Sequence, residues 1–88
     1  MYNVQIVIDN SSDREIINFV EFKKDVCLTI YDITSKKDKS AAYKLKSHWG
    51  AHKNPFVVIT KGDSTIKVFY SENGNAIDKL ILWAATDD

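Results

Sequence analysis

Val4, Ile6 and Ile8 recur at every second position near the start of the chain, and Val7 adds an apolar residue to the intervening face. Alternation with period two predicts a strand, and apolar residues on both of its faces predict an interior one. Asn10 and Ser11 interrupt the pattern. Ser12 and Glu15 then have the spacing in which a serine oxygen caps a helix amide and the glutamate reaches back to the cap. A helix is expected from there, with Ile16, Phe19 and Val20 as its apolar stripe and Ile17 and Phe22 widening it. Lys23, Lys24 and Asp25 end it.

Residues 26–33 are rich in β-branched and aromatic side chains and apolar at most positions, which predicts a second interior strand with Cys27 inside it. The stretch 34–39 is polar. From Ser40 the apolar positions Ala42, Leu45 and Trp49 are spaced three and four apart, so a helix is expected to run to Gly50, whose missing Cβ suits a left-handed stop. Residues 56–60 and 65–70 are two strand patterns flanking Lys61-Gly62-Asp63-Ser64, an antiparallel hairpin, and Lys67 marks the second strand as an edge. Asn73-Gly74-Asn75 forms a turn whose last asparagine can cap a final helix lined by Ile77, Leu80, Ile81 and Ala84. The predicted order is strand, helix, strand, helix, strand, strand, helix.

Composition narrows the function classes. At 88 residues, 44% hydrophobic and 27% charged, the chain is expected to form a single domain over 1–88 with one core. Twelve basic residues balance twelve acidic ones, so no global field draws nucleic acid or an anionic membrane. No apolar run nears the roughly 20 residues that cross a bilayer, and Met1 leads into mixed residues rather than a leader pattern. No membrane contact and a cytoplasmic location are the expectation. Cys27, the single cysteine, has no disulfide partner within the chain, and two histidines supply no structural zinc set, so neither metal nor cofactor is expected.

A strand-helix-strand unit places its strands parallel, and the later hairpin must join the same sheet to bury its apolar faces. The fold class is therefore α/β: a four-stranded mixed sheet with three helices on its two faces. A ferredoxin-like arrangement needs its hairpin in mid-chain and fits less well. Over almost its whole length the order resembles the thioredoxin and glutaredoxin family. Its most specific carrier is Asn54-Pro55-Phe56-Val57-Val58-Ile59, because that family has a cis proline ahead of the third strand, and Pro55 is the single proline here. Residues 71–77 resemble the turn that helps bind glutathione in glutaredoxins and in the N-terminal domains of glutathione transferases.

The departure from the family pattern is equally informative. Redox members carry Cys-x-x-Cys, or one cysteine, between first strand and first helix, where the helix N-terminus favours the thiolate. This chain has Asn10-Ser11-Ser12-Asp13-Arg14. Serine forms no disulfide and is a weak nucleophile without a positioned base, so the dithiol chemistry does not carry over. Cys27 is expected to be a small buried hydrophobe on its strand.

Other constellations weigh less. His48 and His52 stand four apart, but Gly50 falls between them, so exposed histidines are expected rather than a metal pair. Ser11 or Ser12 with Asp13 lacks a nucleophile elbow, and capping is the expected role. Lys36, Lys37, Lys39, Lys44, Lys46 and Lys53 make the middle basic beside Tyr43 and Trp49, while Glu72, Asp78, Asp87 and Asp88 make the end acidic. With one arginine among the cations, a solvated face is favoured over nucleic-acid binding. Leu82 and Trp83 widen the last helix's apolar surface, with core packing favoured for Trp83.

The expectation is a redox-inactive thioredoxin-like binding or assembly module, not an enzyme. It contacts a protein partner through a groove bounded by Ser11, Ser12, Arg14, Asn54, Pro55, Asn73 and Asn75, where helix amides and Arg14 meet the end of the first strand. The alternative is a glutaredoxin- or glutathione-transferase-like protein that binds glutathione or another small thiol, with Ser11, Ser12 and Tyr2 as activating hydroxyls; such transferases need a second domain. A component of a larger assembly, such as a small phage protein, is a third class, with which the richness in Lys, Ile and Asn is compatible.

Overall fold

A computed structural model describes residues 1–22 and 25–86 of the chain. Lys23 and Lys24, expected to end the first helix, and the acidic Asp87 and Asp88 lie outside the described residues. The elements follow in the order β1 (Tyr2–Ile8), α1 (Ser11–Asn18), β2 (Val26–Asp32), α2 (Lys36–Trp49), β3 (Phe56–Lys61), β4 (Ser64–Phe69) and α3 (Ala76–Ala85). They build the α/β architecture that the pattern predicts, a four-stranded mixed sheet of order β2-β1-β3-β4. β1 runs parallel to β2 and antiparallel to β3, and β3 pairs antiparallel with β4.

The centre of the sheet carries the core on both faces. On one face Val4, Ile6 and Ile8 of β1 and Val57 and Ile59 of β3 are buried under Ile17 of α1 and Ala76, Ile77 and Leu80 of α3. On the other, Val7, Phe56 and Val58 are buried against Ala42 of α2 and Ala51 beyond it, with Leu45, Trp49 and Tyr70 packed around them. Each strand thus serves two layers, which is why its apolar residues run almost without interruption. Trp83 is half-buried and meets Tyr2 edge-to-face at 5.4 Å between ring centroids, whereas Leu82 is exposed. Ile81, expected on the buried side of α3, is 37% exposed, and the buried flank is completed by Ala76 instead.

The structure corrects several expectations. β2 is an edge strand, not an interior one, because β1 takes β3 as its second neighbour. Its side chains alternate between half-buried and exposed over residues 26–30, and Cys27 is exposed rather than buried. α1 spans only eight residues, so it buries Ile17 alone and leaves Ile16 47% and Phe19 87% exposed; the broad stripe required a longer helix. Its cap is Asn10, whose Oδ1 accepts from the Ser12 amide at 3.0 Å, not Ser12. α2 begins at Lys36, four residues before the expected start at Ser40, because its first turn is polar all round. Gly50 ends it at φ 67°, as expected of its missing Cβ.

The hairpin turns through Gly62 at φ 61°. β4 is the other edge, and the register slips between Ile59 and Thr60, so Ile66 is the extra residue of a bulge beside Lys67.

Two outcomes follow. Ile17→Ala should cost about 2–5 kcal/mol in urea unfolding, as a buried large-to-small change does, while Phe19→Ser should be near neutral. Cys27 should react with a thiol reagent at the rate of an exposed thiol without prior unfolding, which time-resolved labelling in native buffer checks.

Candidate functional site

The residues expected to bound a groove lie on three chain segments that meet at the C-terminal end of β1. Beyond Ile8 the chain leaves the sheet through Asp9 and the extended Asn10, and α1 starts at once, which puts its first amides just past the C-terminal end of this central strand. Ser11, Ser12 and Arg14 are all exposed on that first turn. On the far side, α2 stops at Gly50, and the Ala51 amide bonds back to the Lys46 carbonyl at 2.9 Å, turning the chain toward β3. There Asn54 is half-buried, Pro55 is buried, and the Asn54–Pro55 bond is cis.

Side-chain hydrogen bonds hold these segments together. Asn54 Nδ2 donates to Asp9 Oδ2 at 3.4 Å, joining the bend to the end of β1. Ser71 donates its hydroxyl to the Pro55 carbonyl and accepts from the Ala76 amide at 2.9 Å, so one oxygen ties the bend to the start of α3. Asn75 Oδ1 accepts from the Ile77 amide at 2.8 Å and caps that helix; its carbonyl oxygen is thereby occupied. Glu72 Oε1 accepts from the His52 amide at 3.1 Å, and the Tyr70 hydroxyl donates to the Trp49 carbonyl at 2.7 Å. Asn73 is exposed on the intervening turn.

Sequence reasoning passed over Asp9, and it noted Ser71 only within the 71–77 turn and Glu72 only as an acidic residue, without their partners. Each is a polar residue at a strand end or turn, with nothing local to mark it, and its partner lies 16 to 45 positions away. Asn54 Oδ1 is cut off from solvent and has no hydrogen-bond partner among the described residues. An unpaired buried acceptor costs free energy, so this side chain gives up little if a ligand draws it outward.

The electrostatics differ from a simple anion site. Burial, and then the neighbouring Asp9 carboxylate, raise the Asp13 carboxyl above the ordinary aspartate value. Asp32, at the end of β2, is lowered by the Thr34 hydroxyl at 2.6 Å and the Thr34 amide at 2.9 Å, with a smaller contribution from the Arg14 charge. Arg14 is thus set among carboxylates, and the helix end carries more negative than positive side-chain charge. Glu72 is lowered chiefly by the hydrogen bond from the His52 amide.

The remaining candidates sit elsewhere. Lys46, counted in the basic face, is buried to 8% exposure, so that face is narrower than expected. His48 and His52 are exposed on either side of Gly50, and the His48 ring stands edge-to-face on Trp49. A depression of about 410 Å³ lies between Tyr43, Lys46, Gly50 and His52. A second, of about 520 Å³, lies between β4 and α3, lined by Ile66, Phe69, Leu82 and Trp83 among others. Among the described residues no group of three or more His, Cys, Asp or Glu side chains is placed to hold a metal, and no helix is long and apolar enough to cross a membrane.

Ser71→Ala should lower stability by about 1–3 kcal/mol, since it leaves the Pro55 carbonyl and the Ala76 amide without their shared partner; chemical unfolding measures it. The lowered carboxyls of Glu72 and Asp32 stabilise the fold above their ordinary values of 4.5 and 3.8, and that contribution disappears as pH falls through their folded values. Asp13 acts oppositely, because its raised value disfavours the ionised folded form at neutral pH. Unfolding midpoints of the native chain and of Glu72→Gln should therefore converge as pH is lowered below 4.5. Compared with protein-family models, curated proteins and solved structures, the chain finds no match.

Proposed function

We propose that this chain is a thioredoxin-like module without redox chemistry, which binds an extended segment of a protein partner in the groove beside Pro55. The observation that carries the reading is the convergence of the 10–14 turn, the Asn54–Pro55 bend and the 71–75 turn through Asp9–Asn54 and Pro55–Ser71–Ala76. The strand order and the cis bend are those that the resemblance calls for. Main-chain pairing at such a bend needs exposed backbone and room for side chains, not a thiol.

A non-enzymatic role is favoured by where the thiol lies. Cys27 pairs in register with Asn3, at the opposite end of β1 from Asp9, and six residues of strand span about 20 Å. It is too distant to act in the groove. The carboxylates of Asp9, Asp13 and Asp32 also count against glutathione, which carries two carboxylates of its own. A role as an assembly component, in a phage or elsewhere, and a cytoplasmic location belong to the same proposal.

The test is an NMR titration of the folded chain with an arrayed library of extended peptides having basic, neutral and acidic members, and separately with reduced glutathione. Basic or neutral peptides should shift the amides of Ser11, Ser12, Asn54 and Ser71. The Arg14→Ala, Asn54→Ala double variant should weaken them at least about tenfold, roughly 1.4 kcal/mol. Shifts confined to Tyr43 and Lys44, or to Leu82 and Trp83, would place binding elsewhere and sink the assignment. Insulin-reduction turnover above a Cys27→Ser control would overturn the non-enzymatic part.

A further inference from the structure

We propose that β2 pairs with β2 of a second copy of this chain, antiparallel about a two-fold axis through Leu28, joining two sheets into one. The inference starts from which backbone groups the edge leaves free. The Tyr2 amide bonds to the Asp25 carbonyl at 2.8 Å, and the Ile33 amide to the Ile8 carbonyl at 3.0 Å. With the Tyr2↔Val26 register of the parallel ladder, Cys27, Thr29 and Tyr31 bond inward to β1, and the N–H and C=O groups of Val26, Leu28 and Ile30 point outward. Further along, the outward Asp32 amide is covered by Asp38 Oδ2 at 3.2 Å. Among the described residues the open edge is therefore 26–30.

The two edges of the sheet are managed differently. β4 carries Lys67 and a bulge, the usual protections against strand addition. β2 has neither: its seven pairs with β1 run without a register shift, and no charge or proline occurs from Val26 to Tyr31. Such an edge is a template for another strand.

A second copy fits it best. The outward groups are arranged symmetrically about Leu28, so a two-fold axis there sets Leu28 opposite Leu28 and Val26 opposite Ile30, each pair exchanging both hydrogen bonds. The apolar side chains at these positions extend the core face of each protomer, where Val26, Leu28 and Ile30 are only half-buried. The segment is uncharged and so offers nothing to a charged peptide, while the chain's formal net charge of zero opposes no association between copies. Pairing of five residues buries less than a stable dimer needs, and α1, which covers the same face of the sheet, leaves further apolar surface exposed at Ile16 and at its C-cap Phe19. An axis normal to the sheet puts both copies of α1 on the same side of the joined sheet.

Light scattering and native hydrogen exchange of the full chain under reducing conditions test this across concentrations from about 10 μM to about 1 mM. The mass should rise from 10.0 kDa toward twice that value, and exchange at the Val26, Leu28 and Ile30 amides should slow at least tenfold over the same range. Cys27 and Thr29 are both exposed and face each other across the proposed seam, so Cys27→Lys with Thr29→Lys should hold the mass at 10.0 kDa with the circular dichroism spectrum unchanged. On oxidation, Thr29→Cys should link copies through Cys27. Ile66→Lys on β4 should leave the association intact. The proposal fails if the native chain stays at 10.0 kDa with fast exchange at Leu28 and Ile30, if the double lysine variant still associates, or if the concentration-dependent protection falls on β4.

Discussion

The pairing of β1 with β3 is the contact on which the rest of the molecule depends. Neither strand has a polar face over the part that pairs most tightly, since Val7 and Phe56 point one way while Ile6 and Val57 point the other. Water must be kept from both sides of this ribbon, and three short helices do it: α1 and α3 on one face, α2 on the other. A chain this small buries roughly 60% of its unfolded surface, so little apolar area remains for a second centre of stability. The helices are accordingly economical. α1 contributes one fully buried side chain and α2 one buried apolar residue, and much of the cover on the second face comes from half-buried rings such as Trp49 and Tyr70.

The same pairing brings the candidate segments together. β1 hands the chain to α1 at Asp9, and antiparallel β3 must begin beside that point, which brings the cis Asn54–Pro55 bend to the N-terminus of α1. β4 then returns the chain to the same end, so α3 starts there as well. Two helix starts and one bend therefore meet at one rim of the sheet. The polar side chains of Asp9, Asn54 and Ser71 satisfy part of the backbone that such a junction leaves without a regular partner.

The negative charge at this rim follows from two local requirements. Asp13 lies in the first turn of α1, where a carboxylate complements the helix dipole, and Asp32 holds the turn after β2 through Thr34. The Asp32 hydrogen bonds serve the fold, whereas burial and the neighbouring Asp9 work against the charge of Asp13. At the opposite margin of the sheet β2 is governed by a different economy: its half-buried apolar side chains complete the core under α1, and its backbone faces outward without the charge and bulge that guard β4.

Local pattern was enough for the number, type and order of the elements. The stop at Gly50, the Asn75 cap, the hairpin and the β4 edge each depend on residues adjacent in the chain, so they could be read there. The α1 boundaries could not, since Ile16 and Phe19 have helical spacing whether or not a sheet lies beneath them. Nor could the edge position of β2 and the exposure of Cys27, because a strand of Val, Leu and Ile looks interior until the choice of neighbours is made, and β1 chose β3 across about 50 positions. Of the segments that converge at the end of β1, the conspicuous points were legible, Pro55 and the helix starts. The partners of Asp9, Ser71 and Glu72 were invisible, because hydrogen bonds between distant residues leave no period or spacing in a sequence; only the tertiary structure decides which polar groups meet, since the packing of β1 against β3 sets what lies within reach of what.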